Sequence, residues 1–377
     1  MVSGQEYRGR AFAVTAVHGK SELVSGRRDS MTEKTFSTEN SVRRKFFLWI
    51  TGMIAVAVLL IGGCERFGGQ KPGKQIDKVT LGVSATSLLP SMVHIAKAKG
   101  YFLEQGIDME IMGYPTGKHA LAAVLKKEVN IGTVADTPIV FNSFVRDDFS
   151  AFATIVDSAR HAKALARKDR NIETPQDLTG KKIATTRGTT AHFFMDVFFV
   201  FNGMDPSAIE VYDLKPKEMV RAIVNGDVDS IFAWEPNISK AQNILGDNAV
   251  FLPANVGYMA TFNLVSKNDF IENNPELIKR VLRALSKAEK FIKENRDESV
   301  DIIAQHLNAD HGKINTLWDM YEFRLSLSQS LLITMEDEAR WAIKNNLTDK
   351  TEVPNYLDFI YIDALEEVRP EAVSIIH

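Results

Sequence analysis

The sequence predicts an α/β chain of two sheet-and-helix lobes, and three observations carry that prediction. From Lys78 onward, strand-like and helix-like stretches alternate as β-α-β-α-β, the order of a parallel sheet with helices on its faces. The same order returns from Ile183. Finally, Val129–Pro138 is echoed by Val228–Pro236, one residue shorter, and each follows an amphipathic helix, Leu121–Lys127 or Met219–Asn225. Two similar lobes offering their loops to a shared gap are the simplest reading, and chance likeness of two βαβ units is the alternative. At 377 residues the chain is too long for one small core and suits two lobes.

The N-terminal part is separate from that body. Residues 1–42 have no apolar periodicity and are expected to be disordered; Met31 offers an alternative start that would leave 1–30 untranslated. Arg43-Arg44-Lys45 then precedes a sixteen-residue apolar run, Phe46 to Ile61, that ends in Gly62-Gly63-Cys64. A basic flank, a short apolar stretch and small residues before a cut site describe a signal peptide over 43–63. A spanning helix wants about 20 apolar residues, so the run is marginal for that role. The order Ile61-Gly62-Gly63-Cys64 resembles the bacterial lipoprotein signal, in which the cysteine is lipidated and becomes the new N-terminus. That resemblance implies a lipid-anchored protein of the periplasm or cell surface, with Cys64 as its lipidation site. An uncleaved anchor helix with an incidental cysteine is the alternative. Residues 64–77, rich in Gly and Lys, read as a tether.

Composition narrows the partners. Cys64 is the only cysteine, so no disulfide forms within one chain. Residues 1–63 carry a net charge of +4 and the remainder −7, and an acidic body argues against nucleic acid as partner.

In the body, Lys78–Ser84 alternates like a strand, and Ser84-Ala85-Thr86-Ser87 leads to Pro90 and a helix that Gly100 ends. Ile107–Met112 is a second strand, Tyr114-Pro115-Thr116-Gly117 a turn, and Lys118–Lys127 a helix. Val129–Val134 is a third strand before a helix start at Asp136-Thr137-Pro138. In the second lobe, Ile183–Thr186, Ile209–Tyr212 and Ser230–Ala233 are strands, with helices from near Thr189, Pro216 and Pro236. The runs Lys163–Arg167 and Thr261–Ser266 bracket this lobe and are expected to cross between lobes. Beyond Lys267 the pattern is wholly helical. A long helix from Asn274-Pro275 carries Leu277, Val281, Leu282, Leu285, Ala288 and Ile292 at helical spacing, and further helices are expected at 297–306, 310–324 and 335–346. These pad the first lobe and hold no evident chemistry. The lobes are expected to be 78–167 plus 261–377, and 168–260.

One turn stands out chemically. Ile183–Thr186 stops at Arg187-Gly188, and a helix starts at Thr189-Thr190. A helix start carries unpaired N–H groups and the positive end of the dipole. With Arg187, Thr189, Thr190 and His192 crowded there, the turn is a plausible oxyanion cradle; an ordinary capped helix is the alternative.

Several stretches then resemble one family. They are Ala98-Lys99-Gly100-Tyr101-Phe102 with Gly106-Ile107, Asp177-Leu178-Thr179-Gly180-Lys181-Lys182-Ile183-Ala184, Gly226-Asp227-Val228-Asp229, Ala233-Trp234-Glu235-Pro236 and Asn274-Pro275-Glu276-Leu277. In this order, from about Lys78 to Ala364, they are similar to substrate-binding proteins of ABC importers for nitrate, sulfonates, taurine and thiamine precursors. The resemblance implies a periplasmic-binding-protein fold of type II, two mostly parallel sheets closing on a hinge. It implies ligand contacts from Ser84, Thr86 and Ser87, from Thr116 and Gly117, from Asp136 and Thr137, from Gly188, Thr189 and Thr190, and from Trp234 and Glu235. It also implies an ABC permease and its ATPase as partners.

Within that frame, hydroxyls of Thr189 and Thr190 would bind a sulfonate or similar anion. Three or four charge-assisted bonds of about 1.5–3 kcal/mol each reach micromolar affinity, about −8 kcal/mol. Arg187 points into the cleft or sits on its rim. Trp234 forms an apolar or cation–π wall or fills the core. Asp136 and Glu235 would suit an amine at the ligand's other end, or else cap their helices. His94, His119 and His192 lack metal-ligand spacing and read as surface histidines, so neither metal nor cofactor is expected. No nucleophile stands beside a base, which leaves an enzyme, such as the related pyrimidine-synthesising branch, as the minor alternative. A ligand sensor docking on a receptor is another.

Overall fold

The computed structural model describes residues 76–377, Asn255 excepted. The expected signal peptide, Cys64, the segment 1–42 and all but the end of the tether lie outside the described residues; β1 begins at Asp77. Among the described residues no helix is long and apolar enough to cross a membrane.

The chain builds β1 (Asp77–Ser84), α1 (Ser91–Ala98), α2 (Tyr101–Glu104), β2 (Ile107–Tyr114), α3 (Gly117–Leu125), β3 (Ile131–Ala135), α4 (Asp136–Ser143) and β4 (Phe149–Ser158). After residues 159–161 come β5 (Ala162–Arg167), β6 (Ile183–Thr185), α5 (Thr190–Phe201), β7 (Val211–Asp213), α6 (Pro216–Asn225), β8 (Ser230–Trp234), α7 (Asn237–Leu245) and β9 (Ala249–Phe251). Residues 252–259 return the chain to β10 (Ala260–Lys267), α8 (Asn268–Asn273), α9 (Pro275–Glu294), α10 (Arg296–Leu307), α11 (His311–Trp318), β11 (Glu322–Ser326), α12 (Gln329–Lys344) and α13 (Asp363–Val368). One sheet runs β11-β4-β10-β3-β1-β2 and the other β7-β6-β8-β5-β9.

Each lobe keeps the parallel βαβ core that the sequence predicts: β1 lies parallel to β2 and β3, and β6 parallel to β7 and β8. Around those cores the sheets are mixed rather than mostly parallel as expected. β10 runs antiparallel to β3 and β4, and β5 antiparallel to β8 and β9.

Three expectations are corrected. Lys163–Arg167 is not a crossing at the end of lobe 1 but β5 of the second sheet, held there because Ala164, Leu165 and Ala166 are buried in the second lobe's cores. Thr261–Ser266 is likewise no crossing; it is β10, an interior strand of the first sheet with all eight residues buried. The crossings are 159–161 and 252–259. Third, the region after Lys267 is not wholly helical. The expected helix over 310–324 ends at Trp318, and Glu322–Ser326 then pairs with β4 at the sheet edge.

The C-terminal helices extend the first lobe's core, and the apolar positions expected on α9, from Leu277 to Ile292, are all buried in it. The second lobe has two smaller cores, one around Phe194, Phe198, Phe199 and Phe232, the other around Met219, Ile223, Ile231 and Ile238. A sheet covered on both faces requires two such cores.

Candidate functional site

Both sheets end on one cleft with about 560 Å³ of empty space, open to solvent. Lobe 1 lines it with Ser84, Leu89, Thr116, Gly117, Lys118, Thr133, Val134, Ala135, Pro138 and Phe262. Lobe 2 contributes Thr189, Thr190 and Trp234, and the first crossing contributes His161.

Two helices begin at this cleft, one from each lobe. In α3 the amides of His119 and Ala120 bond to the Thr116 carbonyl, while the Thr116 hydroxyl bonds the His119 ring at 2.8 Å. In α5 the amides of His192 and Phe193 bond to the Thr189 carbonyl, while the Thr189 hydroxyl donates to the Thr186 carbonyl at 2.6 Å. Neither threonine side chain caps its helix. The first N–H groups of both helices therefore have no partner within the helix, and the positive ends of both dipoles meet at the cleft. Such a pair of helix starts favours an anion.

Lys118 adds a full positive charge. A Cβ built on Gly188 would lie 3.3 Å from the Lys118 Nζ, so the lysine of lobe 1 reaches the turn of lobe 2. Gly188 has a φ of +66°, which also disfavours a side chain there. Among the described residues, the cleft lining includes Lys118 as cation and no carboxylate.

The rest of the lining is largely apolar: Leu89, Val134, Pro138, Phe262 and Trp234. Trp234 lies half-buried, with its ring stacked at 6.2 Å on His161, which meets Phe262 edge-on at 4.8 Å. Burial, reinforced by the nearby Lys163 charge, lowers the His161 pKa to about 3, so its ring is neutral at physiological pH.

Of the residues expected from the sequence, Ser84, Thr116, Gly117, Thr189, Thr190 and Trp234 line the cleft, and the others stand back from it. Thr86 is exposed outside the lining, and the buried Ser87 hydroxyl accepts from the Leu89 amide. Arg187 is exposed, and its backbone N–H donates to Asp213. Gly188 shapes the turn. His192 is buried beneath it, its Nδ1 accepting from the Gly188 amide and its ring meeting Trp341 edge-on. Burial, with the Arg187 charge acting the same way and Asp213 opposing, lowers its pKa to about 4.

Neither of the two carboxylates expected to hold an amine lines the cleft. Asp136 is fully buried, accepting from the Thr137 and Thr261 amides and the Tyr258 hydroxyl. Thr137 is also fully buried, and its hydroxyl donates to Glu338. Glu235 accepts from Lys163 at 3.1 Å and from the Ser239 amide in the first turn of α7, the helix-capping alternative. Both carboxylates are turned into protein because unmet amides behind them offer better partners than the cleft.

Sequence reasoning missed Lys118 and His161. Lys118 had a signal: a lysine in the first turn of a helix opposes the dipole, and such a residue needs an anion nearby. His161 had none, since it lies on a crossing that the sequence did not locate. Of the three histidines read as surface residues only His119 is exposed, bonded to Thr116; His192 is buried against Trp341 and His94 is buried against His306, the rings 3.7 Å apart. Among the described residues no group of three His, Cys, Asp or Glu side chains is placed to hold a metal.

Two sheets joined by two crossings, with helix starts from both at the intervening cleft, define a periplasmic-binding-protein fold of type II. The chain belongs to the NMT1/THI5-like family, which matches residues 91–299. It is 24% identical over 323 residues to a putative aliphatic sulfonates-binding protein of Bacillus subtilis, covering 84% of this chain and 96% of the relative. The fold is also that of the alkanesulfonate-binding protein SsuA from Xanthomonas axonopodis pv. citri bound to MOPS (TM-score 0.66, 18% identity, 76% of this chain and 99% of that one). The periplasmic nitrate-binding protein NrtA from Synechocystis shares it as well (TM-score 0.63, 14% identity, 79% and 89% covered). These relatives are binding proteins.

Proposed function

We propose that this protein captures a small organic anion, of the sulfonate class, in the cleft between its lobes and delivers it to an ABC permease and its ATPase. The convergence of two helix starts and Lys118, drawn from opposite lobes, on one cleft carries the reading. An anion placed there satisfies amides from both lobes at once, so binding energy goes directly into holding the lobes together. The apolar wall of Leu89, Pro138, Phe262 and Trp234 suits a carbon tail, which nitrate lacks. Taurine's ammonium would find no carboxylate in the lining, so plain alkanesulfonates are favoured over it. The sulfonate-binding relatives support this class, and the periplasmic location of the nitrate-binding neighbour, with the Cys64 signal, supports an extracytoplasmic, lipid-anchored protein.

Calorimetry on the mature chain with butanesulfonate, taurine and nitrate tests the reading. Butanesulfonate is expected to bind at micromolar Kd, the other two more weakly, and Lys118→Met to weaken butanesulfonate about tenfold, about 1.4 kcal/mol. Absence of heat with every anion, or an unchanged affinity in Lys118→Met, would overturn it.

A further inference from the structure

The helices after Lys267 pad the first lobe, and one of them reaches across to the second. Trp341 of α12 donates its indole N–H to Asp196 of α5 at 2.8 Å. The same indole meets His192 edge-on at 4.9 Å and Phe193 edge-on at 5.2 Å. All four side chains are buried. Phe193 itself packs in the first lobe's core, against Tyr258 of the second crossing, whereas its neighbours Phe194 and Phe198 belong to the second lobe's core.

These contacts fall on the first two turns of the helix whose start, Thr190, lines the cleft. The other end of the contact is fixed to lobe 1. Glu338, one turn before Trp341 on α12, accepts from the Thr137 hydroxyl at 2.6 Å and from the Tyr258 hydroxyl at 3.1 Å. Thr137 opens α4, and Pro138 beside it lines the cleft. Helix α12 thus grips lobe 1 through Glu338 and lobe 2 through Trp341, and contributes no residue to the cleft lining.

We propose that Trp341 is a positioning residue, a latch that holds the start of α5 over the cleft. Helix α12 thereby sets how long ligand stays bound. A contact made across the lobes adds its free energy to the closed arrangement alone, and weakening it shifts the population toward open forms. Ligand escape requires opening, so the latch acts on dissociation more than on association. The proposal rests on the cleft being the ligand site, but neither Trp341 nor Asp196 is part of the cleft lining, so the latch can be tested apart from ligand.

Two measurements test it. Small-angle scattering of the unliganded mature chain needs no ligand: Trp341→Phe, which keeps a ring and loses the N–H, is expected to show a larger radius of gyration than wild type. Stopped-flow binding of butanesulfonate is expected to show about tenfold faster dissociation in Trp341→Phe, with association within about threefold. Asp196→Ala should act alike, and the two changes together should do no more than either alone, because they remove one bond. Asp196→Asn, which keeps an acceptor oxygen, should restore most of the wild-type rate. Identical scattering by folded wild-type and Trp341→Phe protein would overturn the latch. If butanesulfonate failed to bind wild type while the scattering difference remained, the ligand class would fall and the latch would stand.

Discussion

Asp136 and Glu235 occupy matching places in the two lobes, at the start of the helix that follows β3 in one and β8 in the other. Both are buried, and neither lines the cleft. Their surroundings differ. Glu235 is neutralised locally, by Lys163 of the adjoining β5 and by an amide of its own helix. Asp136 accepts from the first turn of α4, from Tyr258 on the second crossing and from Thr261 on β10. The other carboxyl at this junction is Glu338 of α12, and both share the Tyr258 hydroxyl as donor. A repeated local sequence therefore fixes the turn, while the element packed against it fixes the role. Lobe 2 ended its copy within itself. Lobe 1 made its copy the point where crossing, sheet and α12 are tied.

The most severe test of that contrast removes the junction. Asp136→Ala would leave the Thr261 amide, the Thr137 amide and the Tyr258 hydroxyl without their buried acceptor. Losing a buried charged acceptor costs about 3–5 kcal/mol. Urea unfolding followed by circular dichroism should show a loss of that size. If Asp136→Ala cost no more than removal of Glu235, the distinction between junction and local cap would be gone.

The next test uses pH. Burial, with the Asp136 charge reinforcing it, pushes the Glu338 carboxyl well above its ordinary range. Burial also raises Asp136, but its amide and hydroxyl donors work against the shift, so Glu338 is the better holder of a proton. Its buried Oε2 has no hydrogen-bond partner among the described residues, so no donor there offsets a negative charge. Tyr356 also senses the Glu338 charge and holds its own proton, its pKa raised mainly by burial. A carboxyl with a raised folded pKa stabilises the fold fully below its unfolded value near 4.5, and that contribution is lost as pH rises through the folded value. Glu338→Gln does not titrate. Its stability relative to wild type should therefore rise with pH from the ordinary carboxylate range upward, by up to about 1.4 kcal/mol per pH unit within the window. Thermal melts of both proteins between pH 5 and 8 would read this, and a pH-independent difference would show that Glu338 holds no proton in that range.

How much of this was legible follows from the same contrast. The parallel cores and the buried stripe of α9 follow from local periodicity and turns, whereas the six lining residues from Ser84 to Trp234 lie on turns that periodicity located and were expected at the cleft through the family resemblance. Strand β4 was missed because all ten of its residues are buried, so Phe149–Ser158 has no alternation to betray it. β11 was missed because five residues between helical stretches give too short a pattern. Asp136 and Glu235, expected at the cleft through the family resemblance, are turned away from it because a sequence shows which side chains a turn offers, not which way an unmet amide behind the turn will draw them. The partners of Asp136 lie 122 and 125 residues away, at Tyr258 and Thr261, and Glu338 lies still further along the chain. No local reading reaches that far.

The smallest effect belongs to Glu235. Glu235→Gln keeps an acceptor for the Ser239 amide and loses only the charge facing Lys163, whose side chain is 29% exposed. A partly solvated pair of this kind contributes about 1 kcal/mol or less, because water screens the lysine and takes over when the charge is removed. Stability should fall by no more than that in the same urea titration. Since the carboxylate points to β5 and α7 rather than into the cleft, the order of preference among butanesulfonate, taurine and nitrate should be unchanged. A selective loss of taurine binding would reverse the contrast drawn above, for it would mean that lobe 2's carboxylate turns toward the ligand once the cleft is filled.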